Sequence, residues 1–318
     1  MKISVIFTGG TIGSVRRDDG YIGPESTPVS GLSSFFDNLT HHSFTFYEPL
    51  TTLSECITAR KLYIIIDTLR TAADSADGVI ITHGTDSLAF SAAALGYAFF
   101  DIKIPVVMVC SSHVLEDKRA NGLKNLADAL TFIESSNAKG VFVSYNGKIH
   151  RGTRLCPPKS YTDRVESVLD SEVGRVENGI FVPYAEKCRA DEFSPYRNLC
   201  EGRKILILPA VPDFNYDGIS RDCYAAIQLS YHSGTVDATN PSLRRFAKDL
   251  RDLGRPLLLH GSYRGAEYLS KSEYEKIGIV SLPVISAAAV YMKLMITDFE
   301  NVSKPLGGDI LQEENLVI

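Results

Sequence analysis

The sequence predicts an α/β protein of two domains. The larger N-terminal one has a mostly parallel sheet with flanking helices and a β-hairpin, and the smaller C-terminal one is also α/β. Three observations carry this expectation. Short apolar segments alternate with helical patterns in both halves of the chain, as in parallel strands joined by covering helices. The chain has 318 residues, more than one small core accommodates. Periodicity fails over residues 184–203, "YAEKCRADEFSPYRNLCEGR", a polar stretch with a proline of the kind that links domains. The expected division is 1–183, a linker over 184–203, and 204–318.

The elements follow in order. "ISVIF" is a buried strand, and after a long connection "LYIIIDTLRTAAD" sets Leu62, Ile65, Ile66 and Leu69 on one helical face. "GVIITHGTDS" reads as a strand entering a polar turn, and the next helix carries Leu88, Ala92, Leu95 and Phe99 on one stripe. "IPVVMVCSS" is a further strand and "GLKNLADALTFI" an amphipathic helix. In "GVFVSYNGKIH", Asn146-Gly147 between apolar runs signals a type I′ hairpin. Beyond the linker, "KILILPA", "AIQLSYHS" and "RPLLLHGS" read as strands, "PSLRRFAKDLRDLG" as a helix closed by Gly254, and "SAAAVYMKLMITDF" as a final helix.

Composition excludes several function classes. A hydrophobic fraction of 44% and a net charge of −5 describe an ordinary globular chain without the basic stripe of a nucleic-acid surface. No apolar run approaches a membrane span. "MKISVIFTGG" lacks the pattern of a signal peptide, so a cytoplasmic location is expected. The six cysteines show no C-x-x-C spacing and no histidine pair offers zinc-like spacing, so neither a metal nor any other cofactor is expected.

Two strand ends stand out. In "VIFTGGTIGSV", Gly9-Gly10 removes two Cβ atoms where φ turns positive or something approaches the backbone closely, and Thr11 follows at the carboxyl end of the strand. The row Thr8-Gly9-Gly10-Thr11-Ile12-Gly13 lacks the first glycine of a dinucleotide fingerprint, and no G-K-[ST] follows. "ITHGTDS" repeats the theme with Gly84, Thr85 and Asp86. Thr85-Asp86 alone serves equally as a helix N-cap. Two such ends on one sheet edge point to hydroxyl chemistry, in which threonine needs a base or polarising partner. Tyr21, in the glycine-punctuated loop "DDGYIGPE", offers a phenol, and residues about 13–30 are expected to form a mobile lid.

"FTGGTIGS" and "ITHGTDSLAFSAAAL", in this order and about 75 residues apart, resemble the two signatures of the L-asparaginase/glutaminase family. "DGYIGP" and "LSECIT" resemble the tyrosine loop and the substrate segment of its cytoplasmic, type I members, and "YHSGTVDA" the glycine-rich turn of the second domain. The resemblance implies hydrolysis of a side-chain amide with release of ammonia, a small amino-acid substrate, and a homodimer or homotetramer. It implies Thr11 as nucleophile, Tyr21 as its polarising group, Thr85 in a second hydroxyl set, and Asp86 on the substrate α-ammonium beside Gly84. Ser54 would hold the α-carboxylate and Glu55 would add an acceptor for the ammonium. The family lysine that follows an arginine by three positions is replaced: after Arg154 stands Pro157, and Lys159 lies two residues late. Lys159 is expected to return its amine to the usual place. Cys110, Ser111, His113, Asn121 and His260-Gly261 also depart from the family pattern. The alternatives are an amidase for another ω-amide, an amidotransferase subunit, and an amino-acid-binding or regulatory protein that keeps the pocket.

Overall fold

A computed structural model describes residues 1–24, 28–185, 188–196, 198–262 and 268–312. After β1 (Lys2–Phe7) comes a hairpin of β2 (Ser14–Arg16) and β3 (Ile22–Pro24), then α1 (Pro28–Asp37) and β4 (Ser43–Tyr47). Next are α2 (Ala59–Ala73), β5 (Gly78–Thr82), α3 (Leu88–Ala98), β6 (Pro105–Val109), α4 (Gly122–Ser135) and β7 (Gly140–Tyr145). β8 (Lys148–Arg151), β9 (Gly174–Glu177) and β10 (Ile180–Pro183) complete the first half. The second half holds β11 (Ile205–Leu208), β12 (Ala225–Leu229), α5 (Pro241–Asp252), β13 (Leu257–His260), α6 (Lys271–Ile277), β14 (Ile279–Ser281) and α7 (Ala287–Ile296).

Among the described residues the large sheet has eight strands in the order β10-β9-β8-β7-β6-β5-β1-β4. The run β4-β1-β5-β6-β7 is parallel, and β8, β9 and β10 pair antiparallel. The second sheet, β11-β12-β13-β14, is wholly parallel. This is the expected fold class. The predicted turn is present, with Asn146 at φ 47° and Gly147 at φ 80°, both positive as a type I′ turn requires. A second Asn-Gly turn, Asn178-Gly179, joins β9 to β10 with the same positive φ at both residues.

Periodicity explains the helices. α2 buries Leu62, Ile65, Ile66 and Leu69, the predicted face, and the Thr58 hydroxyl caps its start by accepting from Lys61 N. α3 is apolar all round and correspondingly buried nearly all round. The alanines of α3 and α7 allow these helices to pack together, and one apolar cluster joins Leu95, Ile227, Ala289 and Leu294. The core is thus continuous from the large sheet to the second. The chain passes from β10 to β11 over residues 184–204, of which 186, 187 and 197 lie outside the described residues. A buried ion pair fastens α7 to the segment after it: Lys293 Nζ stands 2.7 Å from Asp309 Oδ2, and the Tyr97 hydroxyl donates to the same carboxylate.

β1 leads outward to β4, whereas β5 to β7 build up its other side, so the strand order reverses between β1 and β5. That reversal opens the crevice in which open α/β sheets bind ligands, at the carboxyl ends of the strands. α3 packs with the cluster on one face and α4 with the cluster on the other, although β5-β6 and β6-β7 step in the same direction. These two crossovers have opposite hands. Residues 110–121, between β6 and α4, therefore cross the carboxyl edge of the sheet.

His150 on β8 is fully buried, with Nδ1 2.9 Å from Ser167 Oγ and Nε2 without a partner among the described residues. Burial, reinforced by Lys148, lowers its pKa from 6.5 to about 3. The folded value lies below the unfolded one, so the unfolded chain binds more protons between them. This contribution to stability is complete above about pH 6.5 and is lost progressively as pH falls toward 3. Tm is expected to fall on acidification from neutral pH, and His150→Gln to flatten that slope. A slope unchanged by the substitution would contradict it.

Candidate active site

β1 and β5 are tied together where they end. Thr8 Oγ1 donates to Thr82 O at 2.6 Å, and Thr8 N donates to Thr82 Oγ1 at 3.3 Å. Beyond this point the glycines show why they are there. Gly9 has φ 98°, and a Cβ on it would lie 2.3 Å from Thr52 O. Gly10 has φ 78°, and a Cβ on it would lie 2.3 Å from Gly84 N. The backbone thus threads between two neighbours at a spacing no side chain allows. Gly10 N donates to Thr52 O and Thr52 N to Thr8 O, each at 3.1 Å. No phosphate cradle is involved: the glycines let three backbones, 8–11, 52–54 and 82–86, lie side by side.

Thr11 begins a short 3-10 turn, Thr11–Gly13, half-buried, and its hydroxyl has no partner among the described residues. Thr85 is half-buried after β5, and Gly84 packs against Ser54, whose Oγ would meet a Cβ there at 2.4 Å. Ser54 Oγ donates to Asp86 Oδ2 at 2.8 Å and accepts from Asp86 N at 3.2 Å. Ser87 Oγ donates to Ser54 O at 2.7 Å. The single Ser54 proton is thereby committed to Asp86, and this serine aims the exposed carboxylate. His83, just before Gly84, is buried with Nδ1 2.7 Å from Gly84 O, and burial lowers its pKa so that it stays neutral.

A cleft of about 420 Å³ opens beside Thr85 and Asp86. Ser112 and His113 after β6, Tyr145 at the end of β7 and residues 158–165 form its other walls. The Tyr145 hydroxyl donates to Asp163 Oδ1, and Asn121 Oδ1 accepts from Ser112 N at 2.8 Å. Behind it, the buried Arg154 holds the chain from below: its Nε donates to Gly308 O at 2.7 Å and its Nη1 to Ser171 O at 3.3 Å.

The predicted residues divide into two groups. Thr11, Gly84, Thr85, Asp86 and Ser54 converge on the junction of the three backbones. Tyr21 and Glu55 are exposed. Tyr21 sits at the tip of the β2–β3 hairpin, 75% exposed, its N–H bonded to Asp19 Oδ1 and its phenol in solvent. The segment expected as a lid, about 13–30, includes this hairpin, and residues 25–27 of that segment lie outside the described residues. Glu55 is exposed on a turn whose other side carries Ser54. Lys159 lines the same cleft as Thr85 and Asp86, and its ammonium pairs with Glu166 Oε2 at 2.8 Å. Sequence reasoning missed Tyr145, Asp163 and the pairing of Ser112 with His113. It also missed His41, His42 and Glu134, ligand-type atoms within 4.8 Å of one another, where His42 Nε2 and Glu134 Oε1 meet at 2.6 Å.

Residues 2–186 match the family model for the N-terminal part of asparaginase. The chain belongs to the asparaginase family. It is 33% identical over 162 residues to L-asparaginase 1 of Escherichia coli (strain K12), covering 48% of this chain and 46% of that one. It is 32% identical over 134 residues to a glutamyl-tRNA(Gln) amidotransferase component of Thermoplasma acidophilum, covering 41% and 32%. The matched segment spans about half, or less, of these curated relatives. In fold, it is similar to the thermostable L-asparaginase from Thermococcus kodakarensis, with a TM-score of 0.85, 22% identity, and 98% and 100% of the two chains covered. A probable cytoplasmic L-asparaginase from Campylobacter jejuni is similar at a TM-score of 0.75 and 21% identity over 93% of this chain and 94% of that one. Among the described residues no helix is long and apolar enough to cross a membrane.

Proposed function

We propose that this asparaginase-family protein is an amidohydrolase that converts L-asparagine to L-aspartate and ammonia through Thr11. The observation that carries the reading is the Gly10–Gly84 backbone contact, which sets two glycine-flanked threonines side by side at the switch point of the sheet. Thr11 attacks the side-chain carbonyl, and Tyr21 polarises it once the β2–β3 hairpin closes. Thr85 belongs to the hydroxyl set that serves the second half of the reaction. Asp86, aimed by Ser54, holds the α-ammonium, with Glu55 as a further acceptor. A cytoplasmic location, a homodimer or homotetramer, and the division at 184–203 belong to the same proposal.

Asp86→Asn is expected to weaken asparagine binding by about 2–5 kcal/mol, the usual cost of removing one partner of a desolvated charge pair. The analogue without the α-amino group is expected to lose far less. Equal losses for both ligands, measured by calorimetry, would remove Asp86 from this role. One observation favours a second reading, an amino-acid-binding or regulatory protein: the cleft's lysine, Lys159, is held by Glu166. Ammonia release by the purified protein separates the two readings.

A further inference from the structure

We propose that His113 is the proton carrier of the cleft, accepting a proton at Nε2 on the Thr85 side of the reaction; this rests on the amide hydrolysis proposed above. Three other titratable groups of the cleft are already engaged. Lys159 is held by Glu166, and the Tyr145 phenol, buried and bonded to Asp163, is kept well above its ordinary range. Asp86 already accepts from Ser54. His113 is half-buried on the same cleft, and imidazole is the side chain that changes charge between about pH 5 and 8.

The hydrogen bonds fix which nitrogen is free. Asn121 Oδ1 accepts from Ser112 N at 2.8 Å, and Asn121 Nδ2 donates to Asn146 Oδ1 at 2.7 Å, so the amide orientation is set at both ends. Ser112 Oγ stands 3.2 Å from that same Oδ1 and 3.0 Å from His113 Nδ1. If the serine proton pointed at His113, Oγ and Oδ1 would face each other as two acceptors. The consistent arrangement runs one way: Nδ1–H donates to Ser112 Oγ, whose own proton goes to Asn121 Oδ1. Nε2 then carries the lone pair and has no partner among the described residues.

The charges around the ring come from every wall. Asp117 lies on its own loop, paired with Arg119 at 2.7 Å. Asp86 comes from the β5 end, Tyr145 from β7, and Lys159, Tyr161, Asp163 and Arg164 from the covering loop. In the step itself, water oxygen bonds to the acyl carbon as the carbonyl π pair moves onto its oxygen, while the water proton passes, directly or through the Thr85 hydroxyl, to Nε2. The carbonyl then re-forms, the carbon–oxygen bond to Thr11 breaks, and the imidazolium proton goes to the departing Thr11 oxygen.

The test compares wild type with His113→Asn, His113→Ala and Ser112→Ala in ammonia release from asparagine between about pH 5 and 9. His113→Asn is expected to lower kcat by roughly 10²–10⁴-fold, with a smaller change in KM, and to abolish the acidic limb of the pH profile. Added imidazole is expected to restore His113→Ala but not Ser112→Ala, and ¹⁵N-labelled histidine spectra of wild type should show the Nδ1–H tautomer. Near-wild-type activity of His113→Asn, a retained acidic limb, or an Nε2–H tautomer would overturn the proposal while leaving the hydrolase reading intact. A wild-type protein inactive on every ω-amide would overturn both. If the His113 variants do not fold, the Ser112→Ala profile and the tautomer decide.

Discussion

Gly10→Ala is expected to cost the protein at least about 3 kcal/mol of stability and nearly all of its activity. Two penalties combine. At φ 78° and ψ 178° the backbone of Gly10 lies in a region essentially reserved for glycine, worth roughly 1–3 kcal/mol of strain to an L-residue. Its Cβ would also stand 2.3 Å from Gly84 N and 2.4 Å from His83 C, backbone atoms that cannot swing aside. Overpacking of this kind costs a further 1–3 kcal/mol or so. The only relief is to push the β1 and β5 ends apart, and a displacement of about 1 Å at a reacting centre can cost 10²-fold in rate. Gly20→Ala separates the two terms. Gly20 has a similar φ of 84°, but nothing lies within 4 Å of the added Cβ, so only the strain remains. Equal denaturation midpoints for the two variants would show that the Gly10–Gly84 contact is unimportant.

Thr11→Ala is expected to reduce turnover by at least about 10³-fold, as removal of a nucleophile does elsewhere. Folding should change little. The threonine is half-buried at the start of a short turn, and its hydroxyl has no partner among the described residues, so its loss leaves no buried group unsatisfied. Stability within about 1 kcal/mol of wild type is the expected companion result. A variant that is equally stable but keeps much of the wild-type rate would move the nucleophile elsewhere, with Thr85 the next residue to replace.

Much of the fold is legible in local pattern. The faces of α2 and α4 follow from their 3.6-residue spacing, and Asn146-Gly147 announces its own turn. Asn178-Gly179 carries the same signal, yet it joins strands of only four residues, β9 alternating over a single short repeat and β10 largely exposed, too little pattern to read. β4, "SFTFY", alternates aromatic and polar residues, but it is an edge strand with only partial burial, so its pattern is faint.

The site divides in the same way. The threonine loops are contiguous motifs and can be read directly. Tyr145 with Asp163, and Ser112 and His113 with Asn121 and Asn146, meet because β6 and β7 are neighbours in the sheet and the loop after Arg154 folds over their ends. Such contacts depend on strand order, which spacing alone does not encode. Lys159 shows the complementary limit. Its place in the cleft followed from a two-residue shift along the chain, but the direction of its ammonium is set by Glu166, a carboxylate seven residues further on.

The measurement that tests the central claim most directly is ammonia and aspartate production from L-asparagine by purified wild-type protein, with Thr11→Ala as the control. Hydrolysis through Thr11 predicts the two products in equal amounts from wild type and almost none from the variant. Tight binding of aspartate or asparagine by the wild-type protein, with no ammonia released, would contradict it.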